Sequence, residues 1–564
     1  MFRFFLRFLI ASNLIVATAH AFGLGLPDVG TILNQVQPQE IPTFSSRSPK
    51  LMIEKSDGSS VRLQSDETFL LRNITISNNT LFENKTLLAL IDDANGQKIS
   101  LFHLMKLASR ITDFYRSHGY PLARTIVPAQ SIEDGVVRFQ VIEPRYGSIT
   151  LNNTSGIHDS LLQATISSVK TGHFVEESSL DHALLLLSDI AGVVVVPALK
   201  PGLENGTSDL LISTSSGPAV VGRFGLDNHG NKYTGGINVG GALTINNPLQ
   251  YGDTLDFNAL SSGLGMNYQS LAYESLINGR GTHFGGSFSS LAYAFKVSPM
   301  GDNFLDAIGS ATLASFWLKQ TLLRSRDSSI YGQFTYERVG LLDHLDGGTS
   351  QQYKDRHLEM VNAAFSGDFR NANFVGGNTS WSLRATIGKL NFDDKKSESA
   401  DISDAKTSGN FSKLGSSLTN VSELGRNLEL LINFKGQWAS RNLDSSQKMS
   451  AGGSYSVRAY ASGAVSGDQG YFVSAGLKQL MGMPWVGQWS ATAFIDHASI
   501  MINKNAWSRD ENRATLTGVG VGLFWAGPYR FSGSAYLAAP IGLKPSMMGE
   551  GQAVQFALEI QKFF

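Results

Sequence analysis

Beyond Gly217 the chain alternates apolar residues with polar or small ones at a period of two, segment after segment. Trp381, Leu383, Ala385 and Ile387 are separated by Ser382, Arg384 and Thr386, and Leu428, Leu430, Ile432, Phe434 and Trp438 stand against Glu429, Asn433, Lys435 and Gln437. Between Thr515 and Trp525, Val519, Val521, Leu523 and Trp525 share one parity, and Gly518, Gly520 and Gly522 the other. Successive side chains of a strand point to opposite faces, so each segment predicts a strand with one apolar and one polar or small face. A soluble sandwich alternates as well. This run differs in its length without helical periodicity, in its aromatic residues at segment ends, and in charges that suit a water-filled lumen. The prediction is a transmembrane antiparallel β-barrel of about 16 strands, at roughly 20–22 residues per strand with its connections. Its lumen would be several side chains wide, enough for an extended polypeptide and too narrow for a folded domain.

The residues before Gly217 follow other patterns. Leu70 to Ile76 and Val136 to Ile142 read as strands, and Leu101 to Ser117 as a helix with Leu101, Leu104, Met105, Ala108, Ile111 and Tyr115 on its apolar face. A second unit repeats the theme with Ser148 to Leu151, a Leu-rich helix from Ser179 to Ile190, and strands at Val193 to Val196 and Leu210 to Thr214. Two small α/β modules are therefore expected, over residues 66–144 and 145–216, ahead of a barrel over 217–564. LPDVGTILNQV, Leu26 to Val36, predicts a short helix within residues 22–37, and a segment rich in Ser, Pro and Gln over 38–65 reads as a linker. At the start, Arg3 and Arg7, the apolar stretch Phe8 to Ala17 and Ala19-His20-Ala21 have the form of a secretory signal, so residues 1–21 are expected to be cleaved.

Composition narrows the chemistry. Lys+Arg 46 against Asp+Glu 47 gives no electrostatic footprint for nucleic acid. The chain has no cysteine, which removes disulfides and thiolate metal sites and suits passage through an oxidising compartment. No G-x-x-x-x-G-K-[ST], H-E-x-x-H or G-x-S-x-G motif is found and the 11 His are scattered, so no cofactor, metal or catalytic residue is expected.

Longer strings carry a family resemblance. HGYPLARTIVPAQSIEDGVVRFQVIE (His118 to Glu143), with its Gly119-Tyr120 turn, resembles the first polypeptide-transport-associated (POTRA) domain of the two-partner secretion outer-membrane transporters, the TpsB proteins of the ShlB/FhaC/HecB type. LDHALLLLSDIAGVVVVPALKPGLENGTSDLLI (Leu180 to Ile212) is similar to their second POTRA domain. DNHGNKYTG (Asp227 to Gly235) and NNPLQYGDTLDF (Asn246 to Phe257) resemble the start of their barrel. At the other end Val554, Phe556, Leu558, Ile560 and Phe564 keep one parity, similar to the final strand by which bacterial outer-membrane proteins are recognised for assembly. Two short motifs complete the resemblance. Val457, Arg458, Ala459 and Tyr460 stand where the family has VRGY on a loop that folds into the barrel, and Phe494, Asp496 and Ala498 where it has F-x-D-x-G on the inner wall. Each has Ala in the Gly position, which adds a methyl group where the loop meets the wall.

Parity bears on that pair without the family. Trp489, Ala491, Ala493 and Ile495 form an apolar set, so Gln488, Ser490, Thr492, Phe494 and Asp496 face the lumen. A guanidinium–carboxylate pair is directional and suits fixing a flexible loop at one point; read without the family, the residues favour a solvated loop residue for Arg458 and a lumen-hydrating charge for Asp496, and it is the resemblance that implies the pair. The resemblance implies a pore in the bacterial outer membrane with its POTRA domains in the periplasm. It further implies a helix that plugs the pore at rest, one large secreted client protein of the TpsA type, and dependence on outer-membrane lipid, periplasmic chaperones and the barrel-assembly machinery. The alternative within the superfamily is a factor that inserts other outer-membrane proteins; two modules and a plug-like helix favour secretion.

Overall fold

The computed structural model describes residues 26–37, 51–53, 68–263, 265–300, 303–346, 351–370, 377–483, 485–542, 545 and 554–564. The expected signal segment and most of the expected linker lie outside these residues.

Two α/β modules come first. The helix Leu101–Ser117 is capped by Ser100, whose hydroxyl accepts from the His103 amide, and buries Leu104, Leu107, Ala108, Ile111 and Tyr115 at helical spacing. These side chains pack on Ile74, Ile76, Val137, Phe139 and Val141 from strands Asn73–Ser77 and Val136–Ile142. The helix stops because Gly119, at φ +88°, takes the left-handed conformation that closes a C-terminus without steric cost. In the second module the helix Glu177–Ser188 lies on the sheet formed by Arg145–Thr154, Val193–Pro201 and Thr207–Ser216. Residues Met52–Ile53, within the expected linker, add to the edge of this sheet as a parallel strand opposite Ala198 and Leu199. That part of the linker is structured, because an unpaired edge offers main-chain partners to any extended segment tethered nearby.

Sixteen antiparallel strands then close into a barrel. In chain order they are β1 Val220–Asp227, β2 Asn238–Asn246, β3 Thr254–Ser261, β4 Met266–Asn278, β5 Thr282–Met300, β6 Asn303–Arg324, β7 Ser328–Asp346 and β8 Gln351–Arg370. They continue with β9 Asn378–Phe392, β10 Gly409–Gly425, β11 Leu428–Ala439, β12 Gln469–Gly482, β13 Gln488–Met501, β14 Arg513–Ala526, β15 Phe531–Pro540 and β16 Gln555–Phe563. Arg223 to Asp227 of β1 pair with Glu559 to Phe563 of β16, so the barrel has no open edge. Leu383, Ile387, Val521, Leu523, Phe556 and Leu558 are exposed on the outer face, as alternation requires of a lipid-facing wall. Every connection on the side of the α/β modules is short, seven residues at most, and the longest ones, such as 393–408 and 440–468, lie on the other side.

The inner wall departs from a uniformly wet surface. Leu291, Tyr293, Val339, Leu341, Leu358 and Met360 point inward and are buried. They pack around the helix α1, Val29–Val36, whose Val29, Ile32 and Leu33 form a stripe at i, i+3, i+4. An eight-residue helix is marginal in water by itself, and burial of that stripe inside the barrel is what holds it folded.

The second module is fastened to the barrel's short turns. Arg324 donates Nε and Nη2 to the two oxygens of Asp189 at 2.7 and 2.8 Å, and Arg326 meets Asp181 at 2.6 Å and Glu177 at 3.0 Å. Leu276 of β4 enters the module's own hydrophobic core.

Candidate functional site

One long connection, from Ser440 to Asp468 between β11 and β12, turns back into the lumen rather than outward. A short hairpin, Met449–Ala451 with Val465–Gly467, stiffens it. Between its arms lie Val457, Arg458, Ala459 and Tyr460, of which Val457, Ala459 and Tyr460 are buried.

Arg458 meets Asp496 on the inner face of β13. Its Nε donates to Oδ2 at 2.8 Å and its Nη2 to Oδ1 at 2.7 Å, and its own amide donates to Oδ2 at 3.0 Å. Ser474, directly across on β12, donates to Oδ1 at 2.7 Å. Asp496 is fully buried, yet four donors satisfy it, and this is the condition under which a buried carboxylate is tolerated. The Arg458 guanidinium also lies over the Phe494 ring, 3.3 Å from its centroid.

Both alanines that replace motif glycines are accommodated. Ala498 is wholly buried in the same cluster as Val457 and Ala459. Ala459 packs against Gly518 on β14, where any Cβ would overlap the Ala459 methyl; two positions on, Gly520 leaves room for the Phe494 ring. The glycine parity of β14 is thus a groove for the loop. Gly518→Val is expected to push the loop off the wall and lower export several-fold, with Gly518→Val/Ala459→Gly recovering part of the loss; secretion assays on the single and double variants measure it. Equal export by wild type and Gly518→Val counts against the groove.

The same loop also grips α1. Arg356 of β8, fully buried, reaches Asp444 of the loop at 2.6 Å, Asp343 of β7 at 2.8 Å and Asp28, the cap of α1, at 2.9 Å. Asp343 in turn accepts from the Val29 amide and the Tyr293 hydroxyl, both at 2.8 Å. Ser445 donates to Asp28 at 2.7 Å, Asn34 donates to the Lys448 carbonyl, and Gly30 lets the loop backbone come within contact of the helix. One guanidinium therefore joins helix, wall and loop.

Gly119 and Tyr120 sit elsewhere, at the joint of the two modules. The Gly119 carbonyl accepts from the Glu177 amide at 2.9 Å, and Tyr120 belongs to an aromatic group with Phe82 and Tyr115. Leu122, two residues on, packs on the second module's core.

Sequence reasoning missed the cluster on Arg356. Asp28 stands as an N-cap before the apolar stripe of α1, a legible signal. Asp343 shares its parity with Leu341 and Leu345, and Arg356 with Leu358 and Met360, a face that hydropathy alone would turn to lipid, so nothing in the residues QYKDRHLEM (352–360) marks Arg356 as the charge that turns inward.

A closed sixteen-stranded barrel with an apolar outer face, two α/β modules at one end, an infolded loop and a helix in its lumen is an outer-membrane β-barrel. The family model for the haemolysin secretion/activation protein ShlB/FhaC/HecB matches residues 206–525, more than half of the chain, and that for the ShlB-type POTRA domain matches residues 69–144. The chain belongs to this family. It is similar to the heme/hemopexin transporter protein HuxB of Haemophilus influenzae (strain 86-028NP), 26% identical over 93% of both chains. It is also similar to the outer membrane transporter CdiB of Dickeya dadantii, 22% identical over 91% of both chains. Among solved structures, CdiB from Escherichia coli superposes with a TM-score of 0.68 at 20% identity, covering 91% of this chain and 92% of that one. The chain is thus an outer-membrane pore of two-partner secretion, with POTRA domains on the periplasmic side, that exports a partner exoprotein.

Proposed function

We propose that the resting chain is a closed conduit in which the infolded loop holds two parts at once: the wall through Arg458 and Asp496, and the plug α1 through Asp444, Ser445 and Lys448. The observation that carries this reading is that both grips belong to one loop, Ser440 to Asp468. Movement of the loop would then release the helix, and departure of the helix would free the loop.

Capture begins in the periplasm. An extended client pairs with a sheet edge of the POTRA modules, because main-chain hydrogen bonds tolerate varied sequence. The edge at Val193–Pro201 is held at rest by Met52–Ile53, a segment tethered to α1. A client strand that takes this edge displaces the tether, which links capture to withdrawal of the plug. Folding of the client outside gives direction, and the activity is transport rather than catalysis. Residues 1–21 direct export of the chain, and periplasmic chaperones and the barrel-assembly machinery bring it to the membrane.

Surface and medium proteins of cells with and without this gene provide the test. One large protein is expected to disappear from both fractions in the deletion strain, and to cross-link to the POTRA modules when export is stalled. An unchanged set of external proteins would overturn the reading.

A further inference from the structure

Between α1, the infolded loop and the inner faces of β9, β10 and β11 lies a cavity of about 330 Å³, outside both ion clusters described above. Its lining includes four cations, Arg384, Lys413, Lys435 and Lys448, and no carboxylate. The first three stand on adjacent strands in near register: Thr386, two residues from Arg384 on the same face, pairs with Lys413, and Ser417 pairs with Lys435. They face inward because Leu383 and Leu414, of the opposite parity, are exposed to lipid. Lys448 is matched by Asp468 at 3.3 Å, Lys413 donates to the Gln447 carbonyl at 3.3 Å, and Arg384 and Lys435 also engage neighbouring groups of the protein. Glu337 on β7 acts on Lys413 but does not line the cavity.

A second observation points the same way. Gln35 Nε2, Ser450 Oγ and Ser456 Oγ are buried polar atoms with no hydrogen-bond partner within the described protein, and all three residues line this one cavity. Buried polar groups are as a rule satisfied, and each left without a partner costs free energy that a ligand would return. Cations and hydrogen-bond donors that line one half-open cavity define a place for an oxyanion.

We infer that this cavity is an oxyanion site whose occupant is a carboxylate of the exported polypeptide, so that the conduit favours clients with an acidic stretch. Asn34 and Gln35 of α1 form one side of the cavity. When the helix leaves, Gln35 goes with it and that side opens onto the path of the client, where the wall cations Arg384, Lys413 and Lys435 remain to meet its carboxylates. A free oxyanion such as phosphate shares the chemistry and would occupy the same groups. This inference rests on the secretion reading for its ligand, but its test does not involve export.

Titration calorimetry in detergent micelles on the full chain and on a chain lacking Phe22 to Val36, in which the side closed by α1 is open, with hexaglutamate, a neutral Gly/Ser hexapeptide and inorganic phosphate as probes, provides that test. Hexaglutamate is expected to bind, the neutral peptide not, and phosphate to compete only at much higher concentration. Arg384→Gln/Lys435→Gln should weaken hexaglutamate at least about ten-fold, and Arg384→Lys should restore most of the loss, with heat-modifiability on a gel showing an intact barrel in each. No binding of either anion by either chain, equal binding of the neutral peptide, or equal binding by the double variant overturns the site. Tight phosphate binding without hexaglutamate binding overturns the client as its occupant. A failure here leaves the secretion reading standing, since that reading falls only if gene deletion removes no external protein.

Discussion

Replacing Arg458 or Asp496 by alanine is expected to reduce export of the client at least about ten-fold while the barrel still assembles. The magnitude follows from what each variant leaves behind. Without the Arg458 side chain, Asp496 keeps Ser474 and one backbone amide but loses both charge-assisted bonds, and it stays wholly buried on β13. Breaking a buried pair from one side costs about 3–5 kcal/mol, most of it the stranded charge. Since each ~1.4 kcal/mol is a factor of ten in an equilibrium constant, the seated loop would give way to displaced states by roughly a hundred-fold or more. Asp496→Ala strands a guanidinium that can still rest on the Phe494 ring, so its effect should be the smaller of the two. Arg458→Lys keeps the charge and loses the fork, and should fall between wild type and alanine. Secretion is read in the medium, and heat-modifiable migration reports the barrel. Wild-type export by both alanine variants would remove the role assigned to the pair.

Strand parity makes much of this site legible in the sequence. Ser490, Thr492, Phe494 and Asp496 turn inward and Ile495 outward because a period of two leaves no other choice once one face meets lipid. The helix Leu101–Ser117 was legible for the same reason, a stripe at 3.6-residue spacing with a Ser cap before it and a Gly after. What parity could not reach are contacts between segments distant in the chain. Asp28 and Arg356 are 328 positions apart, and Asp28 and Ser445 are 417 apart. The apolar inward residues of β5, β7 and β8 would read as lipid-facing by hydropathy alone, and only the helix inside explains why Leu341 and Leu358 are buried in the lumen. The Gly-to-Ala departures were visible as departures, but their resolution depends on Gly518, on another strand, having no side chain.

Arg356→Ala is expected to raise the single-channel conductance of the purified protein in planar bilayers toward that of a chain lacking Phe22 to Val36. Among the described residues the guanidinium is the one cation in contact with Asp28, Asp343 and Asp444 together. Its removal leaves three carboxylates facing each other, with Lys354 only 3.8 Å from one of them. Relief comes most cheaply by letting α1 go, because Asp343 and Asp444 are fixed to the wall and loop whereas Asp28 leaves with an eight-residue helix. Asp28→Asn removes one charge and keeps the cap, so a smaller rise is expected. Proton concentration should act weakly. Burial opposes ionisation of Asp28 and Asp444, but Arg356 and Lys354 outweigh it and hold both carboxyls below the usual carboxylate range. A depressed folded pKa adds stability above the ordinary carboxylate value, and that stability is lost only as pH falls through the lower folded value. The hold that Asp28 and Asp444 contribute to the plug should therefore stay unchanged between about pH 7 and pH 5. If deletion of the helix raises conductance and Arg356→Ala does not, the cluster is a structural joint and something else holds the plug. If neither change raises it, α1 does not close the pore.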